Sequence, residues 1–285
     1  MSCHSYAARQ KNNSHTGTPP LRHKTPLRGV SETMLIPVWA RAMETLRNDG
    51  LIQDTHALRL MQEIDYDFSK FSGGWRTQTG IAVRTRLLDR AVARFLKTHA
   101  EGSVISLGCG LDARSYRLDN RLARWFDLDL PEAIAFRKLF FAESPRHTML
   151  ESSVTDHGWM DAVPPSGPVM FIAEGLLMYL PPCEVRHLFE VMARRFPGGI
   201  IFFEALSRRF VGNDARHDTV SRCTAPFLWG VDRVKELCAW SPALRFESET
   251  PYFDCPPSRW GWVRWVRWLP PVKKTVKICA FSFQA

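Results

Sequence analysis

The stretch VISLGCGLDARSYRL, residues 104–118, is the most informative part of this chain. It joins a short apolar run to two glycines and then to a segment with helical character. Gly108 and Gly110 let the backbone turn tightly and let a ligand approach where a Cβ would intrude. The spacing Gly108-x-Gly110-x-x-Ala113 also satisfies the relaxed dinucleotide fingerprint. By itself the stretch is compatible with a pyrophosphate loop, a loop for another adenosine-bearing cofactor, or a plain strand-to-helix turn.

Short apolar runs alternate with helical stretches from residue 103 onward. The runs lie at 104–107, 124–128, 147–150, 169–173 and 200–203, with helical candidates at 131–142 and 182–196. Such alternation predicts parallel strands joined by right-handed crossovers. Two more strand candidates, 243–253 and 274–283, have no convincing helix between them and predict an antiparallel pair at one sheet edge. The predicted fold class is therefore α/β, with an open sheet preceded by helices.

The chain is predicted to have three parts. Residues 1–30 are acid-free and polar, which predicts a disordered basic tail, with an organelle transit segment as the alternative. Residues 31–100 repeat apolar side chains at helical spacing and predict an N-terminal helical cap. Residues 101–285 form the α/β domain. Its segment at about 207–230 is a candidate lid over the substrate, because connections of this length usually carry function.

Charge is concentrated at the two ends of the chain. The net charge is +9, but residues 1–30 carry five Lys/Arg and residues 255–285 carry six, both without acids. The body at 31–254 therefore holds 27 basic and 29 acidic residues, a net of −2. With no groove-reading element, nucleic acid is not an expected partner. No apolar run approaches the ~20 residues that span a bilayer.

The seven cysteines form no Cys-x-x-Cys pair and have irregular spacing. This argues against a disulfide framework and against a zinc site, so no metal is expected. We predict reduced thiols in a cytoplasmic protein.

Polar residues stand at the ends of the predicted strands. Asp129 follows the second strand, roughly twenty residues after the glycines, where a carboxylate can accept both hydroxyls of a ribose. After the third strand, Asp156 is placed to bond an adenine amino group beside the apolar Val154. Both aspartates are also good helix-start residues. Glu174 follows the strongly apolar fourth strand and needs a cation, either a ligand amino group or an arginine.

Together these loops favour one cofactor over another. A nicotinamide enzyme does not need a glutamate at the fourth strand. S-adenosylmethionine carries a ribose, an adenine and an α-ammonium carboxylate, one group for each polar position. The sequence therefore favours S-adenosylmethionine.

The chain resembles the leucine carboxyl methyltransferase-like family, which includes bacterial polyketide-type O-methyltransferases. The segments that carry the resemblance run in order over residues 31–207 and include SETMLIPVWARAMETLRNDGLIQD, GIAVRTRLLDRAV, VISLGCGLDARSYRL, WFDLDLPEAIAFRK and FIAEGLLMYLPPCEV. The resemblance implies a Rossmann-like class I methyltransferase. Its seven-stranded sheet would be mostly parallel, with the last strand antiparallel.

The resemblance also implies a role for each matching residue. Arg84 would hold the carboxylate of the cofactor. Gly108 and Gly110 would pass beneath its methionine portion. Asp129 would bind the ribose hydroxyls, and Glu174 would lie near the amino group.

The adenine motif departs from the common Asp-Leu pair of the family. This chain reads Ser153-Val154-Thr155-Asp156, so either Val154 or Asp156 takes that role. The implied function is S-adenosylmethionine-dependent methyl transfer to a carboxyl or hydroxyl oxygen of a small, polyketide-like molecule. The alternatives are an NAD(P)-dependent oxidoreductase and a non-catalytic S-adenosylmethionine-binding protein.

Two features stay without an assigned role. The candidate bases His157, Tyr179 and His217 have no position that favours catalysis over packing, so no catalytic residue is assigned. The oligomeric state is open as well.

A stripe before the last strand contains Trp260, Trp262, Trp265 and Trp268 with Arg259, Arg264 and Arg267. It is typical of a membrane-surface or nucleic-acid element, but we predict a tightly packed element with its arginines outward.

Overall fold

A seven-stranded sheet forms the centre of this protein. The computed structural model describes residues 22–25, 31–164, 167–212, 226–254, 257–266, 268–269, 272 and 275–284. A two-stranded pair, β1 (His23–Lys24) with β2 (Ile64–Asp65), lies apart from the sheet. The strands of the sheet are β3 (Ser103–Leu107), β4 (Arg124–Asp129), β5 (His147–Glu151), β6 (Val169–Ala173), β7 (Ile200–Leu206), β8 (Leu244–Pro251) and β9 (Val276–Phe283).

The strand order is β5-β4-β3-β6-β7-β9-β8. The first five strands in this order pair in parallel, while β9 runs antiparallel to both β7 and β8. This confirms the predicted mostly parallel sheet and the antiparallel pair at its edge. Chain order reverses where β3 lies between β4 and β6. Open α/β sheets bind ligands at the carboxyl ends of the strands beside such a point.

The central strands are buried along their whole length because both of their faces are covered. Every residue of β3 and β6 is buried. Parallel strands covered by helices on two sides are therefore mostly apolar. The run that precedes the glycines is therefore a central strand, and its carboxyl end lies inside the molecule.

Six helices accompany the sheet. They are α1 (Leu35–Thr45), α2 (Thr55–Glu63), α3 (Trp75–Thr98), α4 (Arg114–Leu118), α5 (Pro131–Arg137) and α6 (Pro182–Arg195) among the described residues. Proline at the first position starts α5 and α6, as expected where the missing N–H has no helical partner. Helix α5 ends at Arg137, five residues before the end predicted at 142.

The N-terminal helices share one hydrophobic cluster with the loops at the carboxyl edge of the sheet. Leu35, Ile36 and Trp39 of α1 pack in the same cluster as Cys109 and Met178. The helices thus cover the edge at which a ligand is expected.

Parts of the predicted tail and lid lie outside the described residues. In the tail, these are residues 1–21 and 26–30, whereas His23–Lys24 pair in parallel with Ile64–Asp65. In the lid, they are residues 213–225. The end of the lid is held at Leu228 and Trp229, whose amides donate to the carbonyl of Met178 at 2.7 and 3.1 Å. Among the described residues, no helix is long and apolar enough to cross a membrane.

The prediction of a tightly packed tryptophan element is wrong for most of its side chains. Trp260 is buried, but Trp262, Trp265 and Trp268 are exposed. Arg259 points inward and pairs with the buried Glu44 at 2.8 Å. Gly261, with a φ of +53°, interrupts the helical turns between the buried Trp260 and the exposed Trp262, so the segment does not present one continuous buried face.

Candidate active site

One cavity of about 710 Å³ opens at the carboxyl ends of the parallel strands. Six of the seven predicted site residues line it: Arg84, Gly108, Gly110, Asp129, Val154 and Glu174. The sheet places the loop residues in a row, because β5, β4, β3 and β6 are neighbours in that order. Val154 follows β5, Asp129 ends β4, the glycines follow β3 and Glu174 follows β6. This is the order of adenine, ribose and amino-acid portions in S-adenosylmethionine.

Asp156 is the predicted residue that the structure leaves out of the cavity lining. Its carboxylate caps the following turn by accepting from the Gly158 amide at 3.3 Å, and its side chain is exposed. The structure thus places Val154, and not Asp156, in the cavity lining, and the adenine role of either residue stays a prediction. The indole N–H of Trp159 donates to the Val154 carbonyl at 3.2 Å and so holds Val154 in place.

The glycine loop has a conformation that a side chain would disturb. Gly108 and Gly110 have φ values of +64° and +49°, in the left-handed region. A Cβ on Gly108 would lie 2.9 Å from Leu176 Cδ1, and one on Gly110 would lie 3.1 Å from Met34 Cβ. The loop is therefore packed closely on both sides of the cavity floor.

Replacing Gly108 with alanine is expected to lower the free energy of unfolding by about 2–4 kcal/mol, from left-handed strain and the contact with Leu176. Urea denaturation followed by circular dichroism measures this loss. Gly198→Ala is the control, because Gly198 has a φ of +82° and no described atom within 4 Å of its Cβ position. It should lose about 1–2 kcal/mol from strain alone. Equal losses at the two positions would remove the argument for close packing.

The amides of the glycine loop are already used inside the protein. Cys109 donates its N–H to the Leu128 carbonyl at 3.0 Å, and Gly110 donates to Asp129 Oδ2 at 2.7 Å. A pyrophosphate loop needs such amides directed at the ligand. These contacts argue against the dinucleotide interpretation.

Asp129 is held in place by two backbone amides. Its carboxylate accepts from Gly110 at 2.7 Å and from Leu130 at 2.8 Å. Burial raises the pKa of Asp129, and the two amides offset this only in part. A carboxylate has about four acceptor positions, so capacity remains for ligand hydroxyls.

Glu174 lies between two guanidinium groups. Arg84 Nε donates to its Oε1 at 2.8 Å, and Arg114 Nη2 donates to its Oε2 at 2.6 Å. Burial opposes the charge on this carboxyl group, but Arg84 and Arg114 outweigh burial and lower the pKa of Glu174. The protein thus supplies the cation that the sequence requires here. The carboxylate stays ionised beside the cavity.

Sequence reasoning missed Glu204, which lies in the next strand along the sheet. Glu204 accepts from Arg84 Nη1 at 2.7 Å and from the Tyr252 hydroxyl at 2.8 Å. Burial and the charge of Glu204 raise the pKa of Tyr252, so its phenol remains a donor. The available signal was a glutamate inside the apolar run IIFFEAL, which needs a buried partner as Glu174 does.

These contacts belong to a buried ion-pair network. Among the described residues it joins four arginines to five carboxylates: Arg41, Arg84, Arg114 and Arg117 with Asp54, Asp89, Asp112, Glu174 and Glu204. The network brings both signs of charge to the cavity, with the guanidiniums of Arg84 and Arg114 beside the carboxylates of Glu174 and Glu204. Such a lining suits a ligand that itself carries both an ammonium and a carboxylate group.

The candidate bases are separated by the structure. Tyr179 lines the cavity. His157 does not, and its ring packs against His187 with centroids 4.9 Å apart. His217 lies outside the described residues. The cavity wall near Tyr179 continues as an aromatic surface that includes Phe210 and Phe227.

Comparison with known proteins agrees with this site. Residues 34–193 match the leucine carboxyl methyltransferase family. The chain belongs to this family. The tetracenomycin polyketide synthesis O-methyltransferase TcmP from Streptomyces glaucescens is 33% identical over 81% of this chain and 86% of its own length. The S-adenosyl-L-methionine-dependent methyltransferase dpfgK from Gibberella zeae is 28% identical over 79% of this chain and 83% of its own.

Solved structures show the same fold at low sequence identity. A candidate methyltransferase from Thermobifida fusca has a TM-score of 0.55 and 16% identity over 86% of this chain and 94% of that one. A DUF574 family protein from Streptomyces avermitilis has a TM-score of 0.56 and 12% identity over 73% and 85% of the two chains. The family and the relatives confirm the predicted cofactor and reaction class. The chain is an S-adenosylmethionine-dependent methyltransferase.

Proposed function

We propose that this methyltransferase transfers a methyl group to a carboxyl or hydroxyl oxygen of a small, polyketide-like molecule. The aromatic wall of the cavity carries the proposal, with Tyr179, Phe210, Phe227, Phe253 and Trp260 among its lining residues. A flat aromatic acceptor packs favourably against such rings. Similarity to TcmP, a polyketide synthesis O-methyltransferase, supports the same acceptor class.

In this proposal four side chains hold the cofactor. Arg84 binds its carboxylate and Glu174 its ammonium group. Asp129 accepts the two ribose hydroxyls, and Val154 covers one face of the adenine. The bound cofactor supplies an electrophilic methyl group on a sulfonium centre.

The chain itself supplies positioning and the exclusion of water. Most of the acceleration of such a displacement comes from holding the two reacting atoms close together in a dry site. A carboxylate acceptor is already ionised and needs no base, whereas a phenol needs one within hydrogen-bond reach. The proposed lid at 207–230 contributes to the dry site through Arg209, Phe210 and Phe227, which line the cavity.

Calorimetric titration with S-adenosylmethionine tests the cofactor roles. Wild type is expected to bind, and Glu174→Gln to bind about tenfold to a hundredfold more weakly, because a charge-assisted contact to the ammonium group is lost. Glu151→Gln is the matched control, since Glu151 is exposed and its described ion pair is with the exposed Lys138. No heat with wild type would overturn the proposal.

A screen with labelled methyl donor tests the acceptor. Aromatic carboxylic acids and phenols are compared over a range of pH. If the acceptor is a carboxylate, the rate should not change with pH above the pH range in which carboxyl groups ordinarily titrate. If the acceptor is a phenol, the rate should rise with pH. Binding of the cofactor without transfer to any acceptor would instead support a non-catalytic binding protein.

We also propose a cytoplasmic location without a nucleic-acid partner. The support is the irregular cysteine spacing, together with free thiols at the four described cysteines. Removal of residues 1–30 should leave cofactor binding and methyl transfer unchanged.

A further inference from the structure

An exposed aromatic patch lies beside the mouth of the cavity. Trp262, Trp265 and Trp268 are 66%, 71% and 68% exposed, and Leu269 is 52% exposed. Trp75, at the start of α3, is 41% exposed, and its ring lies 3.8 Å from the Cβ position of Gly261. These five side chains are here called the tryptophan face. Trp262 and Trp265 are three residues apart in 3-10 turns, which brings them to one side of the segment. Exposed apolar side chains grouped in this way mark an interaction site.

The tryptophan face is anchored from the inside. Arg259 forms an ion pair with the buried Glu44 at 2.8 Å. The indole of Trp260 is buried and donates to the Tyr252 carbonyl at 3.2 Å. Between them these contacts fix the segment to α1 and to the end of β8. The exposed rings therefore belong to a held element rather than to a frayed loop.

Two exposed arginines adjoin the face. Arg264 stacks over the Trp265 ring with 4.8 Å between its guanidinium carbon and the ring centroid, and Arg76 directly follows Trp75. A second copy of the chain would bring these arginines towards each other in a two-fold interface, which like charges disfavour. A negatively charged partner is favoured instead.

We propose that the tryptophan face docks this methyltransferase on an anionic lipid bilayer. Tryptophan rings partition to the boundary between headgroups and acyl chains, and arginines beside them bind anionic headgroups. Arg264 over Trp265 presents both kinds of group at one place. Docking of this kind needs no segment that spans the bilayer.

Docking would place the cavity mouth at the bilayer. Trp262 belongs to the tryptophan face and also lines the cavity. An apolar acceptor dissolved in the membrane would then enter the site without crossing water. This consequence rests on the proposed function, whereas the docking itself does not.

Co-sedimentation with vesicles tests the docking with the full chain. Wild type is expected to bind vesicles of phosphatidylcholine mixed with phosphatidylglycerol, and to bind phosphatidylcholine alone at least about fivefold more weakly. Trp265→Ala with Trp268→Ala should weaken binding to the mixed vesicles by about tenfold for each ring removed. Leu122→Ala is the control, since Leu122 is 54% exposed and precedes β4 at the opposite end of the strands. It should bind as wild type does.

Three results would overturn the proposal. The first is no binding of wild type to the mixed vesicles. The second is equal binding by the double tryptophan variant whose melting temperature and affinity for S-adenosylmethionine are unchanged. The third is a dimer in sedimentation that the double variant abolishes, which would assign the face to a second copy. Cofactor affinity and methylation of a water-soluble acceptor report separately on the proposed function.

Discussion

Replacing Asp129 with alanine is expected to weaken binding of S-adenosylmethionine by about a hundredfold to a thousandfold. In the proposed binding mode two hydrogen bonds from ribose hydroxyls to an ionised carboxylate are lost, and a loss at the lower end of about 1.5–3 kcal/mol for each bond corresponds to this range. The substitution also leaves the Gly110 amide, 2.7 Å from Asp129 Oδ2, without its acceptor. Isothermal titration calorimetry measures the change.

Two variants separate the effect of the ligand from the effect of the loop. Asp129→Asn retains an acceptor for one amide but removes the charge, so its affinity should lie between wild type and Asp129→Ala. Glu132→Ala removes a nearby exposed carboxylate that accepts from Ser31 Oγ at 3.3 Å, and it should bind as wild type does. Wild-type affinity in Asp129→Ala would refute the ribose assignment.

The affinity for the cofactor should also depend on pH through Asp129. Burial raises its pKa above the usual value of 3.8. Protonation removes the negative charge that strengthens the two ribose contacts. Cofactor affinity should therefore fall as pH falls through this raised pKa, and the loss should begin at a higher pH than an ordinary aspartate would give. Asp129→Asn should lack this dependence.

Replacing Arg114 with methionine is expected to lower the free energy of unfolding by about 3–5 kcal/mol. Arg114 is 2% exposed and pairs with Asp89 at 2.8 Å, Asp112 at 2.5 Å and Glu174 at 2.6 Å. Its loss leaves buried carboxylates facing one another without their shared cation. Urea denaturation measures the change.

Arg146→Met is the matched control. Arg146 also pairs with an aspartate, Asp119 at 2.8 Å, but the pair is partly exposed to solvent. Surface pairs of this kind contribute about 0–1 kcal/mol, so the control should lose no more than that. Similar losses in the two variants would show that the buried network contributes no more to the free energy of unfolding than an exposed ion pair does.

The stability deficit of Arg114→Met should shrink in acid. In wild type, burial raises the pKa of Asp112, but Arg114 and then Arg117 outweigh burial and lower it. A lowered carboxyl pKa contributes stability that is present above the unfolded value and is lost as pH falls through the folded value. The difference between variant and wild type should thus be full at neutral pH and decrease below about pH 4.

The network has a structural consequence for the cap helices. Arg41 of α1 donates to Asp54 at 2.8 Å and to the Leu111 carbonyl of the glycine loop at 3.0 Å. Arg137 of α5 donates to the Gly110 carbonyl at 2.9 Å. The loop is therefore held by guanidiniums from helices before and after it in the chain. Disturbing the cap should disturb the cofactor site as well.

The sequence by itself determined which glycines and carboxylates stand at the carboxyl ends of the parallel strands. The alternation of short apolar runs with helical stretches predicts the parallel strands. The residues directly after each strand are then the ones expected to face the ligand crevice. This reasoning places Gly108, Asp129 and Glu174 beside the cavity that they line, because position along a parallel strand sets where its carboxyl end lies. It does not separate Val154 from Asp156, because an aspartate suits a turn cap, which Asp156 forms, as well as an adenine contact.

Only the tertiary structure decided the partners of the buried charges. Glu174 meets Arg84 and Arg114 across separations of 90 and 60 residues, and Glu204 meets Arg84 across 120. No local pattern encodes such pairings, since they depend on how helices cross the sheet. The same holds for the tryptophan stripe, where Trp260 is buried and the rings after the kink at Gly261 are exposed. Local patterns fix which elements form, whereas long-range packing fixes which charged groups and rings meet.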